Sequence, residues 1–391
     1  PVEFALARAA DAVFVAYFDA ERRMTVASRP ASGGTFIFQK LDSVTGWDSH
    51  NYIALALDLA GHVHVIGNMH NEPLVYFRST RPGDVRSMQR VPVLVDVSRE
   101  RRMTYPVFIK DSGNRLFLKY RDGGSGNGNE VYNVYDAETR TWRALLRTPL
   151  VDGEQQRNAY FVGPAFGPDG FFHLAWVWRE TPDAETNHDL SYARSRDLVS
   201  WETSGGAAFK LPITLGSAEI VDPVPVGGGM INNNTVVGFD TGNRPVITYH
   251  KFDARGDTQI HLARRGTHGW TITQLTRWRN FRWDFRGRGS LESRVRILHG
   301  AIPASRATFV VQVQRDGQAL DLLVDSRRLR LIRETRVRSL SDKVAQYFDT
   351  PPDMVLNAVT EKGDNRGDLV LAAPTLPPTP AQPRNNIPPP S

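Results

Sequence analysis

The chain contains no cysteine among its 391 residues, which excludes disulfide bonds and thiolate chemistry. This absence leaves the compartment open, because exported proteins of disulfide-poor bacteria and cytoplasmic proteins both look like this. No run of about 18 consecutive apolar residues occurs, so no transmembrane helix is predicted. The sequence also lacks a Walker loop and a dinucleotide-binding fingerprint, and its glycine-rich stretch GGSGNG lies between two predicted strands. A thiol enzyme, a helical membrane protein and the common nucleotide-binding folds are thereby excluded.

Glycine and proline are abundant, and basic residues outnumber acidic ones. The 32 glycines and 25 prolines make the chain turn often, so long helices should be scarce and only residues 341–360 are predicted as helix. The 48 lysines and arginines against 42 acidic residues give a formal charge of +6. That excess suits an acidic polymer as partner, and it equally suits a surface that is merely soluble.

A short unit recurs along the chain: a polar turn, an apolar strand, a connection and a second strand that often ends in Arg-Ser or Ala-Arg. Successive copies are separated by 48 to 74 residues, which is the size of a propeller blade with insertions. The equivalent strands lie near Phe14, His62, Leu116, Phe172, Val246, Phe309 and Leu369.

This repeat predicts an all-β fold, namely a single-domain seven-bladed β-propeller over residues 1–373. The seventh copy is partial, so we expect the N-terminal strand at residues 13–17 to close the ring. Residues 374–391 are rich in proline and predict an irregular or polyproline-like arm or linker.

Four of the ten histidines fall within residues 48–71. His62 and His64 alternate with valines on one strand and therefore face the same side, and we expect them in the interior of a sheet. His50 and His70 differ, because each precedes an asparagine at a strand end, where propeller loops meet the central face. Histidines can bind a metal, support structure or carry protons. For His50 and His70 we predict a functional role.

Two further stretches place polar side chains at the ends of predicted strands. Tyr105 stands before a proline and Arg121 before a glycine-rich turn, whereas Arg157 and Tyr160 precede the next repeat. Each signal is weak alone, since a buried Tyr–Arg pair is often structural. Together they are informative, because the strand ends of adjacent blades converge on one funnel.

The order of several motifs gives a family resemblance. The motifs are D-x-H-N-Y at 48–52, M-H-N at 69–71, T-Y-P at 104–106, Y-R-D-G-G-S-G-N-G at 120–128 and N-H-D-L-S-Y-A-R-S at 187–195. Over residues 45–270 the chain resembles the BNR-repeat-type propeller family that contains the ulvan lyases of polysaccharide lyase families 24 and 25. Lyases of rhamnose–glucuronate linkages and a rhamnosidase family share that scaffold.

The resemblance implies a polysaccharide lyase that cleaves rhamnose–uronic acid linkages by β-elimination and leaves a 4,5-unsaturated uronate end. On the family pattern His50 and Tyr105 match the acid/base pair, with the base undecided between them. Arg121 matches the group that neutralises the substrate carboxylate, and His70 would help to hold that carboxylate. The residues expected to contact substrate are Asn51, Arg157, Tyr160, Asn187 and Tyr249.

The same resemblance bears on metals, partners and location. The implied elimination requires no cofactor, and the metal considered is a structural calcium or zinc ion, since some relatives carry a zinc site with a cysteine that this chain lacks. His173 and His188 are the candidate ligands, although hydrogen-bonded structural roles are the stronger interpretation. We expect an acidic polysaccharide as substrate, no nucleic acid partner, no membrane span and a monomer. No signal peptide is visible, and we expect a secreted or periplasmic protein that has lost one.

Two alternatives stay open at this point. Residues 277–294, RWRNFRWDFRGRGSLESR, interleave six arginines with four aromatic residues. This pattern fits a loop whose arginines lie over a sheet, a surface for a sulfated or carboxylated glycan, or, least of all, a surface for single-stranded nucleic acid. As for activity, a glycosidase would need paired carboxylates, which do not stand near the histidines. The second alternative is a glycan-binding propeller without activity, in which the residues at the positions of the acid/base pair would be free to vary.

Overall fold

The computed structural model is all-β, as predicted, and describes residues 4–46, 48, 50–124, 127–289, 291–352, 354–361 and 369–375. The chain divides into two compact units, so the prediction of a single domain is not confirmed. Unit 1 comprises Pro1–Gly124, Glu130–Arg147 and Leu340–Ser391, and unit 2 comprises Ser125–Asn129 and Thr148–Ser339.

Three antiparallel sheets follow one another from the N-terminus. The first joins, in this order, β1 (Ala5–Arg8), β2 (Ala12–Phe18), β3 (Arg23–Pro30) and β4 (Ile37–Val44). The next strands are β5 (Ile53–Leu57), β6 (Val63–Gly67), β7 (His70–Glu72), β8 (Tyr76–Ser79) and β9 (Met88–Arg90). Of these, β5, β6, β8 and β9 form the second sheet. The third sheet contains β10 (Met103–Lys110), β11 (Leu116–Gly124), β12 (Asn127–Asp136) and β13 (Thr141–Ala144), with β7 at its edge beside β10.

Unit 2 contains three further antiparallel sheets. The first of them joins β14 (Asn158–Phe166), β15 (Phe172–Arg179), β16 (Asn187–Ser195) and β17 (Trp201–Glu202), and β18 (Glu219–Asp222) also pairs with β16. The second joins β19 (Val236–Phe239), β20 (Pro245–Phe252), β21 (Thr258–Gly266) and β22 (Gly269–Gln274). The third joins β23 (Val295–Pro303), β24 (Thr308–Arg315), β25 (Gln318–Asp325) and β26 (Arg330–Arg336).

The C-terminal part returns to unit 1 with the short helix α1 (Leu340–Val344) and a two-stranded sheet of β27 (Val355–Glu361) and β28 (Leu369–Thr375). Helix was predicted over 341–360, but it ends early because Pro351 and Pro352 follow and an apolar strand begins at Val355. Single-turn 3-10 helices occur at Val85–Ser87, Arg99–Arg101, Ala184–Thr186 and Ala345–Tyr347. In the described residues no helix is long and apolar enough to cross a membrane.

The predicted repeat is confirmed at the level of strands, whereas its closure is not. The seven positions named above each lie on, or next to, the second strand of a different sheet. However, β2, which contains residues 13–17, pairs with β1 on one side and with β3 on the other. It therefore has no edge left for a C-terminal strand, and the prediction that it closes a ring is corrected. The count of seven blades stays a prediction. The predicted arm begins inside β28, and residues 376–391 lie outside the described part.

Aspartates fix the turns that lead into the second strands of several sheets. The Asp111 carboxylate accepts hydrogen bonds from the backbone N–H groups of Gly113 and Arg115, at 3.0 and 2.8 Å. Asp240 and Asp58 bind the backbone of the equivalent turns in the same way. An aspartate that closes a turn through its own side chain needs no help from distant residues. This is why the polar turns could be recognised in the sequence.

Alternating apolar residues of neighbouring strands form the cores. In unit 1 one cluster joins the first and second sheets and includes Phe14, Val26 and Val65, all fully buried. A second cluster joins the second and third sheets around Tyr76 and Leu118. In unit 2 the apolar faces of β20, β21, β24 and β25 share one cluster. Burial of these side chains, worth about 1.5–3 kcal/mol for each large aliphatic residue, holds neighbouring sheets together.

Candidate functional site

A short strand brings His70 to the third sheet. The polar segment at residues 70–73, between β6 and β8, has the composition of a hairpin turn, but its strand β7 leaves the second sheet and pairs with β10 instead. In this register His70 lies opposite Thr104, and Thr104 lies opposite Arg121 on β11. Thr104 precedes Tyr105, so three of the predicted site residues become neighbours across one sheet.

Thr104 joins the three strands at this point. Its hydroxyl accepts a hydrogen bond from the backbone N–H of Asn71 at 2.7 Å and donates one to the carbonyl of Gly123 at 2.8 Å. Asn71 adopts a left-handed conformation with φ of 59°, which asparagine tolerates better than most residues. A side chain at Gly124 would meet that of Asn71 at 3.4 Å, so the glycine-rich turn allows the close approach. The junction therefore depends on one fully buried hydroxyl.

One carboxylate contacts both of the histidines that were predicted to be functional. Nδ1 of His50 lies 2.6 Å from one oxygen of Asp48, and Nδ1 of His70 lies 2.6 Å from the other oxygen. The two imidazole rings stack, with their centroids 4.3 Å apart and their planes 25° apart. Each histidine side chain is 21% exposed, so both rings remain accessible from solvent.

The carboxylate is ionised throughout the ordinary pH range. Burial on its own raises the pKa of Asp48, but hydrogen bonds from His50 and His70 outweigh this and bring the pKa well below the usual value. An ionised carboxylate can only accept hydrogen bonds, so in each neutral imidazole Nδ1 carries the proton. Nε2 of both rings is then the unprotonated nitrogen and can accept a proton.

Tyr105 faces this pair from an irregular point of β10. The register of β10 against β11 shifts between Thr104 and Val107, and Tyr105 has a positive φ of 54°, which is unusual for a bulky residue. Its ring centroid lies 6.1 Å from that of His50 and 5.9 Å from that of His70. The bulge thus re-aims an aromatic hydroxyl that a regular strand would direct elsewhere.

Arg121 and Asn51 complete the cluster with buried polar groups. The guanidinium carbon of Arg121 lies 4.9 Å from the centre of the Tyr105 ring, and Nε donates to the carbonyl of Gly123 at 3.2 Å. Arg121 is only 4% exposed, so its charge is poorly screened by water. Asn51 is 1% exposed, and within the described residues neither atom of its amide has a hydrogen-bond partner. A buried amide without a partner is costly unless a ligand satisfies it.

The other two histidines of the opening cluster are interior, as predicted. His62 is buried, and its Nδ1 lies 2.9 Å from the carbonyl oxygen of Ser79. His64 is fully buried between the Tyr76 hydroxyl at 2.7 Å and Asp58 at 3.3 Å. Burial lowers the pKa of His64, which is therefore neutral and structural.

The remaining residues predicted to contact substrate belong to unit 2. Arg157 forms ion pairs with Glu180 and Glu154, at 2.8 and 3.1 Å. Tyr160 is buried beneath the guanidinium of Arg179, 5.3 Å from the ring centre, and so repeats the arrangement of Tyr105 and Arg121 in the next sheet.

Asn187 and Tyr249 are more completely enclosed. Asn187 is fully buried and donates from its amide to the carbonyl of Ala184 at 2.5 Å. Tyr249 is also fully buried, donates its hydroxyl to Asp222, and has its pKa raised by burial and by that carboxylate. Neither side chain is accessible at the surface, and contact of either one with substrate stays a prediction.

The two candidate metal ligands of unit 2 have protein partners on both ring nitrogens. His173 lies 2.7 Å from the Tyr192 hydroxyl and 3.0 Å from Asp169. His188 lies 2.8 Å from Glu180 and 3.0 Å from Asp189. In the part of the chain that the structure describes, the one group of three residues spaced like metal ligands is Asp48, His50 and His70. The hydrogen bonds from both Nδ1 atoms already use that carboxylate, so the geometry fits proton transfer at least as well as metal binding.

Asp48 and Tyr52 were missed as site residues. Tyr52 stacks on Tyr105, with ring centroids 6.2 Å apart and planes 10° apart, and its hydroxyl donates to the carbonyl of Pro106 at 3.1 Å. The signal for Asp48 was the D-x-H spacing, which lets the carboxylate accept from the backbone N–H of His50 as well as from its ring. As a whole the cluster offers a base, a hydroxyl acid and a buried cation.

Comparisons with known proteins bear on the family and the fold of the chain. Residues 12–278 match the family model described as BNR repeat-containing family member. The long isoform of ulvan lyase from Glaciecola sp. (strain KUL10) is 39% identical over 69 residues, which are 18% of this chain and 7% of that protein. Its counterpart from Pseudoalteromonas sp. (strain PLSV) is 41% identical over 80 residues, 20% of this chain and 8% of that protein. The matched stretch thus spans less than a tenth of the length of these relatives.

Two solved structures have a similar fold. The polysaccharide lyase Uly1 superposes with a TM-score of 0.67 and 13% identity, covering 93% of this chain and 85% of that chain. The ulvan lyase of family PL25 superposes with a TM-score of 0.64 and 13% identity, covering 90% and 84%. The latter has also been solved bound to -[GlcA(1-4)Rha3S]-. At such low identity the likeness concerns the fold.

Proposed function

Because this chain belongs to the BNR repeat-containing family, we propose that it is a polysaccharide lyase that cleaves rhamnose–uronic acid linkages of an acidic polysaccharide such as ulvan. Curated relatives and structures of similar fold carry the names of such lyases. The observation that carries the proposal is the pair of stacked imidazoles on Asp48 beside Tyr105 and Arg121. A base, an acid and a cation are the three groups that β-elimination on a uronate requires.

Arg121 neutralises the uronate carboxylate in this scheme. The C5 proton of a uronate becomes acidic only when the adjacent carboxylate is neutralised, since negative charge develops next to it as the proton leaves. Arg121 is a buried cation, and the amide of Asn51 is a buried donor nearby in sequence to His50. Both are fixed before substrate arrives, so little reorganisation is needed.

His50 is the base and Tyr105 the acid. Because the Nδ1–H group of His50 donates its hydrogen bond to Asp48, the lone pair of Nε2 is free to accept the C5 proton. The electrons of the C5–H bond form the C4=C5 double bond, the C4–O4 bond breaks, and Tyr105 gives its hydroxyl proton to the departing O4. The products are a new chain end and a 4,5-unsaturated uronate. Return of the proton from His50 to Tyr105 through solvent resets the site.

The remaining groups support this exchange. His70 stacks on His50, keeps its plane fixed and helps to hold the carboxylate. No cofactor is needed for the proton transfers. A count of seven blades and an extracytoplasmic location belong to the same proposal.

The test is incubation with ulvan and with glucuronate-containing plant gums, followed by ultraviolet absorbance of the conjugated double bond and by reducing-end measurement. We expect both signals to rise together. In His50→Ala the rate should fall by about 100-fold or more, as expected when a positioned base is removed.

Three outcomes would contradict the proposal. Reducing ends without the absorbance would indicate a glycosidase. Binding without either signal would indicate a glycan-binding protein that lacks activity. Full lyase activity in His50→Ala would contradict the site, and His62→Ala is the control that should alter stability rather than the chemical step.

A further inference from the structure

Residues 277–288 of unit 2 bury their aromatic side chains and expose their arginines. The four aromatic side chains are 6–8% exposed and belong to the core cluster of that unit. The residues between them point outwards, and the exposed arginines of the stretch are Arg277, Arg279, Arg282, Arg286 and Arg288.

The stretch is fixed against the turn between β20 and β21. Phe281 accepts at its carbonyl from the backbone N–H of Thr258 at 2.7 Å, and its own N–H donates to Asp257 at 2.9 Å. The N–H of Trp283 donates to the hydroxyl of Thr258, also at 2.9 Å. The backbone between the arginines is therefore held by hydrogen bonds to the start of β21.

An open cleft lies where this stretch meets the turn. It has a volume of about 460 Å³ and is lined by Asp253, Ala254, Arg255, Gln274, Arg277 and Arg279, which we name the arginine cleft. The single acid of this lining is already engaged, because Asp253 accepts from the backbone N–H groups of Arg255 and Asp257 and from the Gln259 amide.

The cleft has an excess of positive charge. Arg255 lies 3.5 Å from Asp253 and 3.7 Å from Asp257, so its charge is balanced. Arg277 and Arg279 are exposed, and none of the ion pairs found in the described part of the chain includes them. Two guanidinium groups in the lining suit a planar or tetrahedral oxyanion, which arginine binds with paired donors.

We propose that the arginine cleft is a second binding site for acidic polysaccharide, which takes the sulfate ester or carboxylate groups of the sugar chain. It lies in unit 2, whereas Asp48, His50, His70, Tyr105 and Arg121 all belong to unit 1. The identity of the polyanion rests on the proposed function. The arginine cleft would hold a long polymer, so it matters for polymeric substrate and not for short oligosaccharides.

The burial of the aromatic rings favours a glycan over nucleic acid. Sequence-tolerant binding of single strands depends on aromatic side chains on which bases stack. Trp278 and Trp283 are only 7% and 6% exposed, so they offer no such platform. Recognition at this surface then depends mainly on charge, and charge matches a polymer with an anionic group on most sugars.

The test compares Arg277→Gln/Arg279→Gln with Arg327→Gln/Arg328→Gln, a control pair of exposed arginines after β25 that loses the same charge. Apparent affinity is measured without turnover, by retardation of the full chain in gels that contain ulvan, dextran sulfate or neutral dextran. Exposed charge pairs contribute up to about 1 kcal/mol each, so we expect about fivefold weaker retardation for the cleft variant in both sulfated gels. The control should stay within about twofold.

The outcomes separate this inference from the proposed function. Equal loss in both variants, or none in either, would overturn the arginine cleft as a site. A larger loss with single-stranded DNA than with ulvan would overturn the choice of glycan. Rates on a short uronate oligosaccharide should be unchanged in the cleft variant. If no oligosaccharide or polymer is cleaved while the retardation still differs, the lyase proposal fails and the polyanion site stands.

Discussion

Asp48 carries two imidazoles on one carboxylate, so the tautomers of both histidines depend on one residue. In Asp48→Asn the amide oxygen can still accept from one ring, but its N–H₂ group must face the other. That histidine then presents the wrong nitrogen. We expect kcat to fall by about 100-fold with little change in KM, since wrong tautomers cost catalysis more than binding.

The matched control is Asp58→Asn, which changes the carboxylate beside the buried His64. It should lower the melting temperature and leave kcat near that of the wild type. Thermal denaturation measured beside kcat distinguishes the two roles, because only the Asp48 variant should lose rate. Equal kcat in wild type and Asp48→Asn would contradict tautomer control.

At this scale the sequence revealed much of the site. His50 and His70 were predicted to be functional from the asparagines that follow them, and the structure places them together. Asp48 was not predicted, because its contact with His70, 22 positions along the chain, is a tertiary feature that local spacing does not contain. Tyr249 was predicted to contact substrate, yet its hydroxyl is used by a buried Asp222. The residue type and its position in the sequence did not show whether the side chain reaches a surface or lies in the core.

Among the elements, β7 determines whether the site can form. It contains only three residues and pairs with β10 through Thr104, whose hydroxyl joins β7 to the end of β11. Thr104→Val keeps the shape of the side chain but leaves the N–H of Asn71 and the buried carbonyl of Gly123 without that partner, and the buried carbonyl alone costs about 1–3 kcal/mol. We expect a lower melting temperature and, because His70 and Arg121 lose their fixed separation, a loss of about tenfold or more in kcat/KM.

Thr104→Ser is the control, since it retains the hydroxyl and should recover most of the rate. Thermal denaturation and initial rates on the same polymer provide the two measurements. A Thr104→Val protein that is less stable but equally active would contradict the link between β7 and the chemistry.

Most strands could be predicted from the sequence, and β7 could not. Long alternating runs such as β2 and β3 contain their own pattern, and aspartates such as Asp19 close the turns between them locally. The segment His-Asn-Glu has no alternation and no strand-forming residue, so its composition is that of a turn. Only pairing with a distant strand makes it extended. The bulge at Tyr105 was hidden for the same reason.

For the whole molecule, buried neutral histidines predict sensitivity to acid. Burial lowers the pKa of His250 to about 3 and that of His261 to about 4, from an ordinary value of 6.5. Below pH 6.5 the unfolded chain takes up protons that the folded chain does not. Stability is therefore fully present above that pH and is lost as the pH falls towards 4, by up to about 1.4 kcal/mol per pH unit for each histidine.

Melting temperature measured between pH 7 and pH 4 tests this expectation. His250→Phe should flatten the acid side of the curve, because the ring packs against Trp283 and Phe285 and phenylalanine cannot titrate. The same change at exposed His268 is the control and should leave the slope unaltered. An unchanged slope in His250→Phe would show that other groups govern acid unfolding.

The sequence also predicted the all-β class and the repeat, because each sheet is built from local hairpins. The division into two units and the pairing of β1 with β2 depend on contacts that a repeat period does not specify.

The pairing of β7 with β10 has a practical consequence for chimaeras made with related proteins. Residues 70–72 and 103–104 exchange hydrogen bonds although some thirty residues separate them in the chain. A crossover point placed between them would combine two strands of different parentage in one pair. If residues 48–124 are exchanged as a single block, both strands of that pair come from the same parent protein. The two imidazoles, their carboxylate and the arginine then come from that parent as well.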